Sequence, residues 1–434
     1  MLRHSGRNVV HAKSKLLGRY ALPQASSLFD LSGGSLAQSL VFPYQGCDKI
    51  LSDSLMFCSP SAGFESPGKM EFQARLLELF DNRFADALWG NSGSDGMEIA
   101  VWAAELLVQS RAGKKPGSII VREGGYHGNT RLCRSISSRI TPEQKLDKKV
   151  IVLKEHMLSN HDAHSAYLPS SDAAGKYSLV DAVKQLLAHN KTELPGILVL
   201  EGFPTTGWKF DYDFREYQDL FKFCNEKGIV TVIDDVASGS FRHGNISSVT
   251  PGASAAQNEN YLTPDILVLS KGLTSGAYPL SCCLMNQDTV QAIKDSRQKP
   301  LTFTHGLTEA GAVLATGFLS RYLDIFFSKG LQQRTEFIRQ LITGNKDRLH
   351  ACHIGIEKTD TTIRLDLPNA VAADVESAML RVGLWAYIGS ASFTTVDAGY
   401  EARRFLHLCP PFDIAVDEQI ILLEQAFNIL TVRI

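Results

Sequence analysis

Residues 264–272 read Pro-Asp-Ile-Leu-Val-Leu-Ser-Lys-Gly, an apolar run of four side chains that leads into a lysine and a glycine. A run this short and this rich in Ile, Leu and Val has the form of a strand covered on both faces. The same form recurs upstream, where Ala87–Trp89, Ser118–Val121, Val150–Leu153, Gly196–Leu200 and Ile229–Ile233 are each predicted as buried strands. Helical stretches separate them. In Tyr212–Lys227, for example, Phe214, Tyr217, Phe221 and Cys224 recur at spacings of three and four, and Gly228 follows as a stop signal. From residue 87 to 285 strands and helices therefore alternate, the pattern of an α/β fold with a mostly parallel sheet and helices on both faces.

Three of these strands end in reactive side chains. Gly-Ile-Leu-Val-Leu ends at Glu201, Ile-Val-Thr-Val-Ile at Asp234 and Asp235, and the run quoted above at Lys271. Ligands of open α/β sheets gather beyond the carboxyl ends of the strands, so separate strands deliver acids and a lysine to one edge. One charged residue closing a strand is more often a solvated terminus, and the coincidence of three weakens that reading. A lysine amine becomes a useful nucleophile when desolvation or a nearby cation lowers its pKa. Val268 and Leu269 give Lys271 an apolar approach, a setting suited to an imine with an aldehyde cofactor. Asp234, partly desolvated, needs a cationic partner: an arginine, or a protonated pyridine nitrogen, which makes the ring a better electron sink.

Two loops add to this edge. Asn91-Ser92-Gly93-Ser94-Asp95-Gly96 lies between a strand and a helix whose Ile99, Trp102, Ala103, Leu106 and Leu107 share a face. Backbone N–H groups at such a helix start, with two hydroxyls, form a phosphate site. The plain alternative is a capped turn, since Ser92 and Asp95 stand at capping-box spacing. Gly124-Gly125-Tyr126-His127-Gly128 follows another strand. Its glycines permit close backbone approach and its ring can stack on a flat ligand; a glycine-rich loop with a packed tyrosine is the equal alternative.

The chain has 434 residues, 44% of them apolar and 21% charged, enough for a core that needs neither disulfides nor a structural metal. A net charge of -2 and the absence of a long basic run give no indication of a nucleic-acid partner. No stretch has the length of a membrane span. The eight cysteines form no C-x-x-C and no zinc spacing, so no metal site is expected, and buried thiols in a reducing cytosol are the expectation. The first 29 residues contain no acid and carry Arg3, Arg7, Lys13, Lys15 and Arg19, a targeting segment or a basic arm against a partner subunit. After residue 308 the pattern changes. Helices at Ala310–Phe327 and Gln332–His350, strands at Cys352–Glu357 and Thr361–Leu367, a helix at Ala370–Val382, a further strand pair and a helix at Val416–Leu430 read as a smaller α+β domain.

The ordered set Asn-Ser-Gly-Ser-Asp, Tyr-His-Gly, Ile-Asp-Asp-Val and Pro-Asp-Ile-Leu-Val-Leu-Ser-Lys-Gly resembles the class III aminotransferases among the fold-type I pyridoxal 5'-phosphate (PLP) enzymes. That group includes glutamate-1-semialdehyde aminomutase and ornithine and 4-aminobutyrate aminotransferases, and the likeness covers roughly residues 60–430. It implies a large PLP-binding domain over 61–308, a C-terminal small domain over 309–434, and residues 1–60 as arm and N-terminal part of the small domain. Under it, Lys271 is the Schiff-base lysine and Asp234 the partner of the ring nitrogen. Val236 packs on one ring face and Tyr126, beside His127, on the other. Gly93 and Ser94 bind phosphate with Ser92 adjoining, and Glu201 borders the cofactor. Phe303-Thr304-His305-Gly306 resembles the segment through which a second subunit donates a threonine to the phosphate. Thr304 is the choice and Thr308 the alternative, and a cytoplasmic homodimer with shared active sites is expected.

The departures from that family narrow the activity. Asp-Glu-Val-Gln becomes Asp234-Asp235-Val236-Ala237, so Ala237 offers no side-chain hydrogen bond to the cofactor's phenolic oxygen, and Thr206 is expected to replace it. An arginine three residues before Pro-Pro commonly grips a substrate carboxylate; here His407 stands at that distance from Pro410-Pro411, and Arg404 lies further upstream. Histidine does not reproduce bidentate carboxylate recognition. The expected activity is amino-group transfer between an amine or amino acid and a carbonyl acceptor. An aminomutase, a PLP-dependent decarboxylase or epimerase, and a non-catalytic binding protein on the same fold are the alternatives.

Overall fold

The computed structural model describes residues 14–16, 19–21, 27–41, 47–55, 65–138, 150–153, 178–190, 196–205, 214–242, 245–250, 261–326, 328–358, 361–394 and 400–432. Seven strands form the central sheet: β1 (Asp86–Gly90), β2 (Ile119–Arg122), β3 (Val150–Leu153), β4 (Ile197–Glu201), β5 (Val230–Asp234), β6 (Ile266–Leu269) and β7 (Ser281–Met285). Their spatial order is β1-β7-β6-β5-β4-β2-β3. Strands β2 to β6 pair in parallel, and β7 runs antiparallel to both β1 and β6. All six strands expected from the apolar runs form, and the run holding Cys282 and Cys283 supplies the seventh.

Alternation along each strand separates two cores, as a period of two requires. Ile120, Leu198, Leu200, Ile233, Leu267 and Leu269 face one layer. Ile119, Val121, Val199, Val232 and Val268 face the other, against Ile99, Ala103 and Leu107 of a long helix. Each such aliphatic side chain, fully buried, contributes about 1.5–3 kcal/mol relative to exposure.

Three helices frame the loops at the sheet edge: α1 (Pro67–Glu78), α2 (Gly93–Ala112) and α3 (Glu309–Phe326). The first residue of α3 closes the first turn of α1. Glu309 accepts the Gly68 N–H at 3.1 Å and the Ser66 hydroxyl, and is itself buried. A carboxylate at a helix start satisfies donors that have no partner within the helix and complements the positive end of its dipole. Ala312, Ala315, Phe318 and Leu319 of α3 then pack into the central-sheet core.

A second sheet lies toward the C-terminus: β8 (Gly355–Lys358), β9 (Ile363–Leu367), β10 (Tyr387–Thr394) and β11 (Tyr400–Leu408), in the order β8-β9-β11-β10 and antiparallel throughout. Its core also takes in Phe29, Leu31 and Val41 from the N-terminal part of the chain. There the short strands Ser14–Leu16, Arg19–Ala21 and Ser27–Asp30 join Leu384–Trp385 in a further small sheet. Arg242 ties these parts together from a fully buried position. Its Nη2 donates to the Gln38 carbonyl at 2.5 Å, its guanidinium lies 5.0 Å from the centre of the Phe412 ring, and its own carbonyl accepts the Thr361 hydroxyl. Burial pushes its pKa down, against the pull of Cys409, Tyr322 and Asp30. Among the described residues no single helix is long and apolar enough to cross a membrane.

Glu309→Ala is expected to lower the stability of the folded chain by about 1–2 kcal/mol, the range of a lost helix cap, read as a lower midpoint in urea with an unchanged far-ultraviolet spectrum. A midpoint equal to that of the parent would show that the Glu309 contacts with α1 are energetically idle.

Candidate active site

The carboxyl ends of β4, β5 and β6 lie side by side. Glu201 and Asp234 are direct partners in the parallel β4–β5 ladder, and Asp234 stands opposite Val268 of β6, three residues before Lys271. The acids and the lysine singled out in the sequence therefore share one edge of the sheet on neighbouring strands. Lys271 opens a 3-10 turn at φ +42°, a left-handed conformation that a side-chain-bearing residue adopts only when its surroundings hold it. They do so here: the Ser270 hydroxyl donates to the Leu280 carbonyl at 2.7 Å, Tyr322 Oη donates to the Gly272 carbonyl at 2.8 Å, and the Gly276 N–H closes on the Lys271 carbonyl at 3.1 Å.

The two aspartates after β5 point to opposite sides, as successive strand residues must. Asp235 is fully buried, accepts hydrogen bonds from Ser238 Oγ, Ser248 Oγ and the Ser248 N–H at 2.5, 2.6 and 2.8 Å, and organises the following loop. Burial raises its pKa in spite of those donors. Asp234 is held differently. Its Oδ2 lies 2.9 Å from His127 Nδ1 and its Oδ1 accepts the Val236 N–H at 3.1 Å. His127 is buried, and its other ring nitrogen, Nε2, has no hydrogen-bond partner among the described residues.

The loop that carries Tyr126 and His127 is pinned by two serines. Ser137 Oγ accepts the His127 N–H at 2.9 Å and Ser138 Oγ the Gly125 N–H at 3.1 Å. Tyr126 is half-buried on it. Gly128, at φ +119°, passes so close to α2 that an added methyl group would lie 2.4 Å from Ser94 Oγ. Ser94 Oγ accepts the Asn129 N–H at 3.0 Å. At the start of α2 the capping box anticipated as the plain alternative is present: Ser92 caps Asp95, and the Asp95 carboxylate accepts the N–H groups of Asn91 and Ser92 at 2.9 and 3.2 Å. It shapes the helix start without filling it, because the N–H groups of Gly93 and Ser94 face outward from the first turn. Gly93 lies against Val236, whose Cγ1 would be 2.6 Å from a methyl group there. Ser92, Gly93, Ser94, His127, Asp234 and Val236 are thus drawn into one group.

Glu201 belongs to the same edge but is tied to a residue that the sequence pattern did not single out. Arg122, at the end of β2, donates from Nη2 to Glu201 Oε2 at 2.6 Å, with both side chains buried. Burial alone would raise the pKa of Glu201; the charges of Arg122 and His127 outweigh it and hold this carboxyl below its usual range. The signal that found Glu201, a charge closing an apolar run, was also present in Ile-Ile-Val-Arg. Thr205 caps the other Glu201 oxygen, Oγ1 to Oε1 at 3.1 Å, whereas Thr206 lies outside the described residues.

The C-terminal sheet reaches the same loop. His407 Nε2 donates to the Thr205 carbonyl at 2.8 Å, and Arg364 Nη1 to the Pro204 carbonyl at 3.0 Å, from cross-strand partners on β11 and β9. His407 is 2% exposed; Arg404 is exposed at the other end of the strand pairing, opposite Leu367 and Ser390. Thr304 is exposed in the loop before α3. Thr308 is engaged at the helix start, where its Oγ1 donates to Tyr278 Oη at 3.0 Å and accepts the Gly311 N–H at 3.1 Å.

Comparison with known proteins places this arrangement. Residues 51–387 match the model of the family described as aminotransferase class-III. The adenosylmethionine-8-amino-7-oxononanoate aminotransferase of Buchnera aphidicola subsp. Schizaphis graminum is 25% identical over 288 residues, 65% of this chain and 60% of that protein. The acetylornithine aminotransferase of Agrobacterium fabrum is 23% identical over 291 residues, 66% of this chain and 62% of that protein. The chain thus spans about 60% of the length of these relatives. Among solved structures, an amine transaminase from an uncultivated Pseudomonas species in a PLP-bound form superposes with a TM-score of 0.77 at 18% identity, covering 100% of this chain and 98% of that one. A Bacillus anthracis aminotransferase gives 0.78 at 17%, covering 100% and 96%. These structural likenesses show the fold-type I architecture, and since the family match extends over more than half of its residues, the chain belongs to the class III aminotransferase family.

Proposed function

We propose that the chain is a PLP-dependent aminotransferase that moves an amino group between an amine and a carbonyl acceptor, with its cofactor held on Lys271. The observation that carries this reading is the placement of Asp234 and Lys271 on adjacent parallel strands at one sheet edge, bordered by the start of α2. The residues fit PLP in three respects. The first turn of a 20-residue helix offers N–H groups and a positive dipole end to a phosphate. Asp234 is a buried carboxylate beside a histidine, able to pair with a protonated ring nitrogen. Close glycine contacts at Gly93 and Gly128 bring backbone against Val236 and Ser94, approaches that a side chain would fill.

In this reading Gly93 and Ser94 hold the phosphate with Ser92 adjoining, Val236 and Tyr126 flank the ring, Asp234 holds its nitrogen, Glu201 borders it and Thr206 faces its phenolic oxygen. When bound, PLP supplies the aldehyde carbon and the electron sink. Lys271 would hold the cofactor's aldehyde and, with its amine free, would serve as the general base and acid that moves the proton at the amino-bearing carbon. Thr304, exposed in the loop before α3, is the choice for donation to a second subunit's phosphate, and a homodimer is part of the reading. So is the cytoplasm, supported by the free buried thiols of Cys47, Cys133, Cys224, Cys282, Cys283 and Cys409. The division into a large domain over 61–308 and a small one formed by both chain ends draws support from the joint packing of Phe29, Leu31 and Val41 with C-terminal residues.

The donor is an amine without a carboxylate on its amino-bearing carbon. His407 is buried and spends Nε2 on a backbone carbonyl, so it offers no forked cation to a substrate, and Arg404 is exposed on the distant part of its strand.

Protein reconstituted with PLP is expected to show a visible absorbance band that disappears in Lys271→Ala; a band unchanged in that variant would remove the assignment. In a donor screen, primary amines and ω-amino compounds are expected to bleach the band at least tenfold faster than α-amino acids, about 1.4 kcal/mol in barrier. Faster bleaching by α-amino acids would overturn the donor class and leave the Lys271 assignment standing.

A further inference from the structure

The β4–β5 register sets two carboxylates directly opposite each other: Glu201 and Asp234 are paired residues, with backbones about 4.8 Å apart as neighbouring strands are. Both are buried, with side chains 5% and 6% exposed, and so are the groups that contact them, Arg122 at 2% and His127 at 0%. Two like charges this close, out of water, cannot both remain ionised without compensation. Arg122 answers Glu201, and His127 answers Asp234. The pairs converge at Gly125: a methyl group on it would lie 3.3 Å from His127 Nε2 and 3.7 Å from Glu201 Oε2.

We propose that Arg122 is a positioning residue for the cofactor: by neutralising Glu201, the ladder partner of Asp234, it sets the local charge that a ring nitrogen held by Asp234 would meet. This rests on the reading of Asp234 as the ring-nitrogen partner. The other charged or titratable groups near the cluster do not replace Arg122. Asp235 turns away toward Ser238 and Ser248. Glu123 is buried beside Arg122 and adds only negative charge. The Cys133 thiol is pushed up to about 12, chiefly by burial, and stays neutral. Lys271 is committed to the cofactor. The lowered pKa of Glu201, to which Arg122 and His127 contribute, agrees with this assignment.

The sign of the effect separates it from a merely structural role. Arg122→Met makes the surroundings of the ring one unit more negative than in the parent, and Glu201→Gln one unit more positive. At an effective dielectric constant near 20, a unit charge some 8 Å away moves a titration by about 1.5 pH units. The experiment is a pH titration of the visible band of PLP-loaded protein for Arg122→Met, Glu201→Gln and the double variant. The expected result is a midpoint about 1.5 units higher in Arg122→Met, about 1.5 units lower in Glu201→Gln, and within about 0.3 unit of the parent in the double variant. In turnover, kcat falls in the singles with KM little changed. Should Arg122→Met not fold, Arg122→Lys/Glu201→Gln, which retains a cation, takes its place: a downward shift that persists there supports the proposal, and a midpoint restored to the parent's overturns it. Midpoints equal to the parent in both singles, or displaced in the same direction, overturn the proposal and leave the cofactor assignment intact. A parent protein that takes up no PLP overturns both.

Discussion

Everything at the sheet edge depends on the pairing of Glu201 with Asp234. A parallel ladder fixes which residues face one another, and here it faces acid with acid at a point closed to solvent. Such an arrangement is unfavourable in isolation and persists because two further elements bring compensating groups: β2 ends in Arg122, and the loop after β2 carries His127 back to Asp234. The same excursion of chain, from residue 122 to residue 129, thus supplies both partners and ends against Ser94 at the start of α2. The hydrogen bonds of Ser137 and Ser138 to this loop serve the charge arrangement as much as the backbone.

The helix start illustrates how two readings of one motif become a single answer. Ser92 and Asp95 form a capping box, and that box determines the direction of the first-turn N–H groups. The cap is the frame on which the proposed phosphate site rests. Likewise Gly93 and Gly128 are informative through what touches them. Each contact leaves no room for a β-carbon, so the loop, the helix and the end of β5 are locked at backbone distance.

Much of this was legible in the sequence, and for identifiable reasons. Short apolar runs bounded by polar residues marked β1 to β6, because strands covered on both faces carry no polar alternation to blur their limits. Lys271, Asp234 and Glu201 stood out as charges closing those runs. Arg122 closed one in the same way without standing out, since nothing local distinguishes an arginine that points into a buried pair from one that reaches water. Arg242 and Arg364 were invisible for a related reason. Both donate to backbone carbonyls, of Gln38 and Pro204, and backbone acceptors leave no trace in a pattern of side chains. The strands between Ser14 and Asp30 are three or four residues long, and the last of them pairs with Leu384 and Trp385, far away in sequence. The role of Glu309 at the head of α1 depends on a contact spanning more than 240 positions.

The attachment of His407 and Arg364 to Thr205 and Pro204 has a mechanical consequence. Thr205 holds the C-terminal sheet through its carbonyl and Glu201 through its hydroxyl, so one residue serves as a hinge pin between that sheet and the buried Glu201–Arg122 pair. Remodelling β9 or β11 would tug on that pin. A change of shape in one sheet is then felt as a change of charge geometry at the edge of the other.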